Sequence, residues 1–349
     1  MEEQLLDVLT EGVAARVFPG AVVGVLKEGQ RTIIPVGRFA YEQSSPAVAE
    51  ETLYDTASIT KSIPVGLLTL KFIEEGKLSL DDRVNTFIPE ITRPHAEQGR
   101  IRHLLTYSYI LKKNSDPQYK VEALTARDIL EYLFTREFEY LSGAHYQYSN
   151  APANLLGLIL ERVSGERLYK LSTRIILDPL EMRRSTFSPA DTKSIPPTEV
   201  DSWRGVVQGV VHDEQAFILQ RDGQDSGASG LFAPANDLLH IAEMVLANGV
   251  FKGRRLFKPE TIELMRTNAL ADIGASCGIG WELDQPHFMG KYSHAHMLGK
   301  TGFTGTSIVI DPRTKRACVL LSNRTYPQRA NIEASRAVRR TVADIVFAP

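Results

Sequence analysis

Apolar positions near the N-terminus fall into two short β-type runs, at about 21–27 and 31–37, within PGAVVGVLKEGQRTIIPVGRF. The Lys-Glu-Gly-Gln stretch between them supplies a turn, so the pair predicts a hairpin. Ahead of it, MEEQLLDVLTEGVAARVF spaces Leu and Val as on one face of an amphipathic helix. Residues 57–76 predict a long helix, with apolar positions 63, 67, 70 and 73 at helical spacing and Gly76 as its stop. Pro64 is awkward there because it has no N–H to donate, so the helix starts late or bends near its first turn. Further helical patterns cover 125–135 after Thr125, 150–163 ending near Gly165, and 234–248 ending at Gly249. After residue 277 strand patterns return in AHMLGKTG, TSIVIDP and RACVLLSNR, followed by a helix at about 329–346 with Ile332, Val338, Val342 and Ile345.

Strands at both ends with helices between predict an α/β (α+β) fold, in which one antiparallel sheet is assembled from the N- and C-terminal segments and flanked by helices. Residues 1–56 and 277–349 form the discontinuous sheet domain, and 57–276 form an inserted, mostly helical domain. The groove between the two is the expected ligand site.

Composition narrows the function classes. Among 349 residues 43% are hydrophobic and 23% charged, which is ordinary globular usage and excludes disordered and fibrous classes. A net charge of -2 offers no attraction for nucleic acid or anionic membranes. Only Cys277 and Cys318 are present, which excludes a disulfide framework and a multi-cysteine zinc site and leaves room for one bridge, with two free thiols the simpler expectation. The acidic N-terminus lacks an export pattern, and no apolar run approaches the roughly 18 residues of a membrane span. A cytoplasmic protein that needs no cofactor or metal and acts on a small molecule or short peptide is expected, with oligomeric state open.

Candidate chemistry begins at TASITKS, where Ser58 precedes Lys61 by three residues on what reads as a helix start. That spacing places both side chains on one face, within reach of each other. A serine attacks a carbonyl only if a neighbour takes its proton, and Lys61 could do so only when neutral. Bringing an amine from about 10.4 to 7 requires about 4 to 5 kcal/mol, which burial and nearby cations supply. Two further segments follow in order, Tyr148-Ser149-Asn150 and Lys300-Thr301-Gly302. Singly, these are a core tyrosine, a helix cap and a turn lysine.

Together, Ser-x-x-Lys, Tyr-x-Asn and Lys-Thr-Gly resemble the serine hydrolases that include class C β-lactamases, D-alanyl-D-alanine carboxypeptidases, other penicillin-binding-protein-like enzymes, D-aminopeptidases and esterases. The likeness spans nearly the whole chain, through segments such as GKLSLDDRVNTFIPE, YSNAPANLLGLILERVSGE and GKTGFTGTSIVIDP. It implies a β-lactamase/transpeptidase-like fold and an acyl-enzyme on Ser58, with Lys61 and Tyr148 moving protons. It also implies that Asn150 orients Lys61 or a substrate amide, and that Lys300, Thr301, Gly302 and Phe303 bind the substrate. The tetrahedral oxygen would sit between the N–H groups of Ser58 and Phe303. Lys300 would either favour substrates bearing a carboxylate or serve only to tune Tyr148.

Other motifs carry less. Gly299-Lys300-Thr301 is no phosphate loop, because position 294 is His and not Gly. No Gly-x-Ser-x-Gly elbow is present. His294 and His296 fall on one side of an expected strand but lack a third ligand. His212 and Asp213 either line the groove or sit in a loop. Two features depart from the family: Tyr107-Ser108-Tyr109-Ile110 replaces a smaller glycine-containing turn, and Pro64 follows Lys61 closely. The expectation is a serine hydrolase of amide, β-lactam or ester bonds, and the alternative is a catalytically silent penicillin-recognising binding or sensor protein.

Overall fold

The computed structural model describes residues 1–114, 120–330 and 332–349. Its main sheet holds seven strands: β1 (Gly20–Lys27), β2 (Gln30–Gly37), β3 (Cys277–Gly278), β4 (Trp281–Leu283), β5 (Leu298–Thr301), β6 (Ser307–Asp311) and β7 (Arg316–Ser322). Their spatial order is β2-β1-β7-β6-β5-β4-β3, and each neighbouring pair is antiparallel. Pairing of β1 with β7, which sets Val23 opposite Leu320, joins the two ends of the chain into one sheet.

The two-residue period of β1 explains why this strand is buried on both faces. Val22 and Leu26 point into the larger core, which includes Leu238 and Leu239 of the helix Ala235–Leu246. Ala21, Val23 and Val25 point the other way, against Leu5 and Leu9 of the first helix and Val342 and Val346 of the last. The expected hairpin, N-terminal helix and three C-terminal strands are therefore all present. Thr125 caps Ala126–Thr135 reciprocally with Asp128, and Ala151–Ser164 ends at Gly165 in the left-handed conformation.

Two local expectations are corrected. The stretch 57–76 is not one helix but a 3₁₀ turn (Ala57–Lys61), a π-type turn (Ser62–Gly66) and an α-helix (Leu67–Glu74). The break lies at Ile63, with φ -123° and ψ 106°, because the residue before a proline is pushed out of the α region. His294 and His296 precede the strand instead of lying on it: β5 starts at Leu298, and the His294 ring is drawn to Asp311, with Nε2 3.0 Å from Oδ1. Both cysteines are free and buried. Among the described residues no helix is long and apolar enough to cross a membrane.

Candidate active site

Ser58 sits on the 3₁₀ turn directly after Ala57, whose φ of 48° lies in the left-handed region that a side chain disfavours. Buried Asp55 holds this turn. Its carboxylate accepts the N–H of Ala57 at 2.8 Å and that of His212 at 2.7 Å. Burial raises the pKa of Asp55 above the usual carboxylate value, and these two backbone donors counter it in part.

The turn after β5 is clamped onto the nucleophile segment. Thr304 and Thr306 donate their hydroxyls to the carbonyls of Asp55 (2.8 Å) and Thr56 (3.0 Å). From the last helix, Arg339 donates to the carbonyls of Gly302 at 2.6 Å and Thr306 at 2.9 Å. Space at Gly302 is so short that a Cβ would lie 2.3 Å from the Thr56 carbonyl oxygen and 2.1 Å from the Thr306 hydroxyl. Gly302→Ala is therefore expected to push the Phe303 amide away from Ser58 and lower kcat by about 100-fold or more, read in steady-state kinetics, if that amide is an oxyanion donor. Among the described residues no acceptor is bonded to the amides of Ser58 or Phe303.

Lys61, 3% exposed, donates from Nζ to Ser58 Oγ at 2.8 Å and to the Ala228 carbonyl at 2.8 Å. Burial pushes its ammonium down to about 7; Asp213 opposes this, the Lys300 charge assists it, and Glu282 opposes it again. Tyr148 is 39% exposed and lines the cleft, with its hydroxyl close to Ser58. Desolvation of that hydroxyl raises the phenol pKa, with Lys300 pulling against it and Tyr107 and Glu282 adding to it.

Lys300 does not line the cleft. It is 0% exposed and pairs through Nζ with Glu282 Oε1 at 2.8 Å. The ammonium lies between two rings, 4.4 Å from the centroid of Tyr107 and 4.5 Å from that of Tyr148. Burial alone would lower the Lys300 pKa, but Glu282 and Tyr148 hold it above the ordinary value. Of the two roles considered for this lysine, the geometry fits tuning of Tyr148 and not contact with a substrate carboxylate. Tyr107 is the other slice of this sandwich.

Asn150 is the residue before Ala151–Ser164, but its side chain caps nothing. It donates to Asp213 Oδ2 at 2.9 Å, while Asp213 Oδ1 caps Glu214–Arg221 at the Ala216 N–H. The His212 ring stacks on Phe303 at 5.6 Å, and Arg324 covers Phe303 at 4.6 Å. A cleft of about 590 Å³ is lined by Ser58, Tyr148, Asn150, Thr301, Gly302 and Phe303, and also by His212 and Asp213. A second cavity of about 670 Å³ shares Asn150, Asp213 and Glu214 with it. Among the described residues no group of three or more His, Cys, Asp or Glu side chains is arranged to hold a metal. Sequence reasoning missed Glu282, Asp55, Thr304, Thr306, Arg324 and Arg339; no motif marks them.

Three distant segments thus meet at one serine within a sheet-and-helix body, the arrangement of a β-lactamase-type hydrolase. The Beta-lactamase family model matches residues 5–343, and the chain belongs to that family. It is 30% identical over 308 residues to an Escherichia coli (strain K12) protein named "Putative D-alanyl-D-alanine carboxypeptidase", covering 79% of this chain and 70% of that one. Among solved structures, it is similar to "EstCE1, a hydrolase with promiscuous acyltransferase activity" (TM-score 0.77, 22% identity, 98% of both chains). A class C beta lactamase matches with TM-score 0.75 and 19% identity over 99% of this chain and 97% of the other.

Proposed function

We propose that this hydrolase works through an acyl-enzyme on Ser58, cleaving amide, β-lactam or ester bonds of small molecules or short peptides that bear a carboxylate. The observation that carries this reading is an amine brought near neutrality in contact with the serine hydroxyl. Neutral Lys61 takes the Ser58 proton as Oγ attacks the carbonyl, and the amides of Ser58 and Phe303 receive the oxyanion. Tyr148, a neutral phenol at rest, passes a proton to the leaving atom. Water then attacks the ester and gives its proton to the Tyr148 phenolate, while Lys61 returns a proton to Ser58 Oγ as the ester bond breaks. Asn150 acts on substrate or through Asp213, and the charge that favours a carboxylate comes from Arg324 and Arg336 on the cleft wall, with Arg339 behind them.

In this reading Ser58, Tyr148 and Asn150 come from the unit 57–276, and Thr301, Phe303 and the arginines from the unit formed by 1–56 with 277–349. The test is to mix the protein with a fluorophosphonate probe and a fluorescent penicillin, beside Ser58→Ala, and then assay p-nitrophenyl esters, nitrocefin and D-amino-acid anilides. Label that depends on Ser58, with turnover, is the expected result. Label retained in Ser58→Ala would sink the reading, and stable label without turnover would favour the sensor alternative.

A further inference from the structure

Two unlike charges line the catalytic cleft without neutralising each other. At one end is Asp213, whose carboxylate meets only neutral donors, the Asn150 amide and the Ala216 N–H; among the described residues it forms no ion pair. This end is common to the cleft and the second cavity. Glu214 beside it is already paired with Arg329.

The opposite sign comes from Arg324 and Arg339, 4% and 8% exposed, each with a buried Nε that has no partner. No carboxylate pairs with either among the described residues; Arg324 reaches only the Ala330 carbonyl at 3.4 Å, and Arg339 only the two carbonyls of the clamp. Arg336 stands at the mouth, paired with the exposed Glu333. Phe303 touches neighbours of both signs, with His212, next to Asp213, stacked on its ring and Arg324 and Arg329 packed over it. Buried charges ordinarily meet a partner, because desolvation without one is costly. Here neither sign has an ion-pair partner among the described residues, and the catalytic serine lines the same cleft.

We propose that the substrate is a zwitterion, a short peptide whose free amino group pairs with Asp213 and whose free carboxylate pairs with Arg324 and Arg336, with the scissile carbonyl over Ser58. The amine belongs to the acyl half, which is transferred to Ser58 Oγ as the peptide C–N bond breaks. The carboxylate leaves with the amine half, which takes a proton from Tyr148 while Lys61 holds the one Ser58 gave up. Water then cleaves the ester and regenerates the hydroxyl. This inference rests on the acyl-hydrolase reading.

The experiment compares kcat/KM for alanyl-alanine in D,D and L,L forms, each free at both ends, N-acetylated, C-amidated, or blocked at both. The free form of one chirality is expected to be best, and each block to cost about tenfold or more, as loss of a charge-assisted pair does. Asp213→Asn should erase the preference for the free amine and leave that for the carboxylate; Arg324→Gln and Arg336→Gln should weaken only the latter. Any change that Asp213→Asn makes in Lys61 acts on all four forms alike and cancels in the ratios. The proposal is overturned if an enzyme labelled at Ser58 by fluorophosphonate hydrolyses the four forms equally, prefers the blocked ones, or hydrolyses none. Absence of Ser58-dependent label would instead remove the hydrolase reading itself.

Discussion

Ser58→Ala and Lys61→Met are each expected to lower kcat/KM by about 10⁴-fold or more, and the double variant to lose no more than the worse single one. A nucleophile and its proton acceptor work as a unit, so removing either removes the step. Lys61 should also show an effect of opposite sign on stability. Its amine has an ordinary pKa of 10.5, which burial brings to about 7 in the fold. Between those values the unfolded chain holds a proton that the folded chain has shed, so stability rises with pH across the window. Below about pH 7 the folded protein bears the full cost, and the gap corresponds to about 4 to 5 kcal/mol. Lys61→Met lifts that burden but leaves the Ala228 carbonyl without its donor, a loss of about 1 to 3 kcal/mol. Thermal melts at pH 7 should therefore show Lys61→Met a few degrees above the parent while activity collapses. A variant that melts earlier, or keeps its rate, would remove Lys61 from this role.

Much of this architecture was readable along the chain. The β1–β2 hairpin, the helices with Thr125 and Gly165 at their ends, and the three C-terminal strands follow from local period and turn chemistry, which a single sequence displays. The groups around Ser58 were readable for another reason: each lies in a short motif, and the motifs keep their order. What stayed hidden depends on contacts between remote segments. Asp55 meets the His212 amide 157 positions later, and Thr306 meets the Thr56 carbonyl 250 positions earlier. Glu282 approaches Lys300 only because β4 and β5 pair with Glu282 opposite Gly299. Nothing in the local pattern distinguishes it from a surface acid. Tyr107 was visible as an intruder in its turn, but its use as a ring beneath the Lys300 ammonium needs the fold.

The pH profile offers the sharpest test of how these buried charges cooperate. If neutral Lys61 is the acceptor, kcat/KM should climb about tenfold per pH unit on the acid side, bend near pH 7 and then stay level, since the Tyr148 phenol is held above its ordinary value. Glu282→Gln should move the bend down by about one pH unit. The carboxylate of Glu282 favours the charged form of Lys61 and the neutral form of Tyr148, and it partly cancels the cation of Lys300. Without it, Lys300 faces Lys61 and Tyr148 uncompensated, so both release protons more readily, and a fall in rate should enter from the alkaline side as the phenol ionises. Asp213 also holds Lys61 up, so Asp213→Asn should lower the acid bend as well. A bend that stays in place in Glu282→Gln would mean that buried Lys300 sheds its proton along with its partner, and that the charge between the two tyrosine rings is not what sets the base.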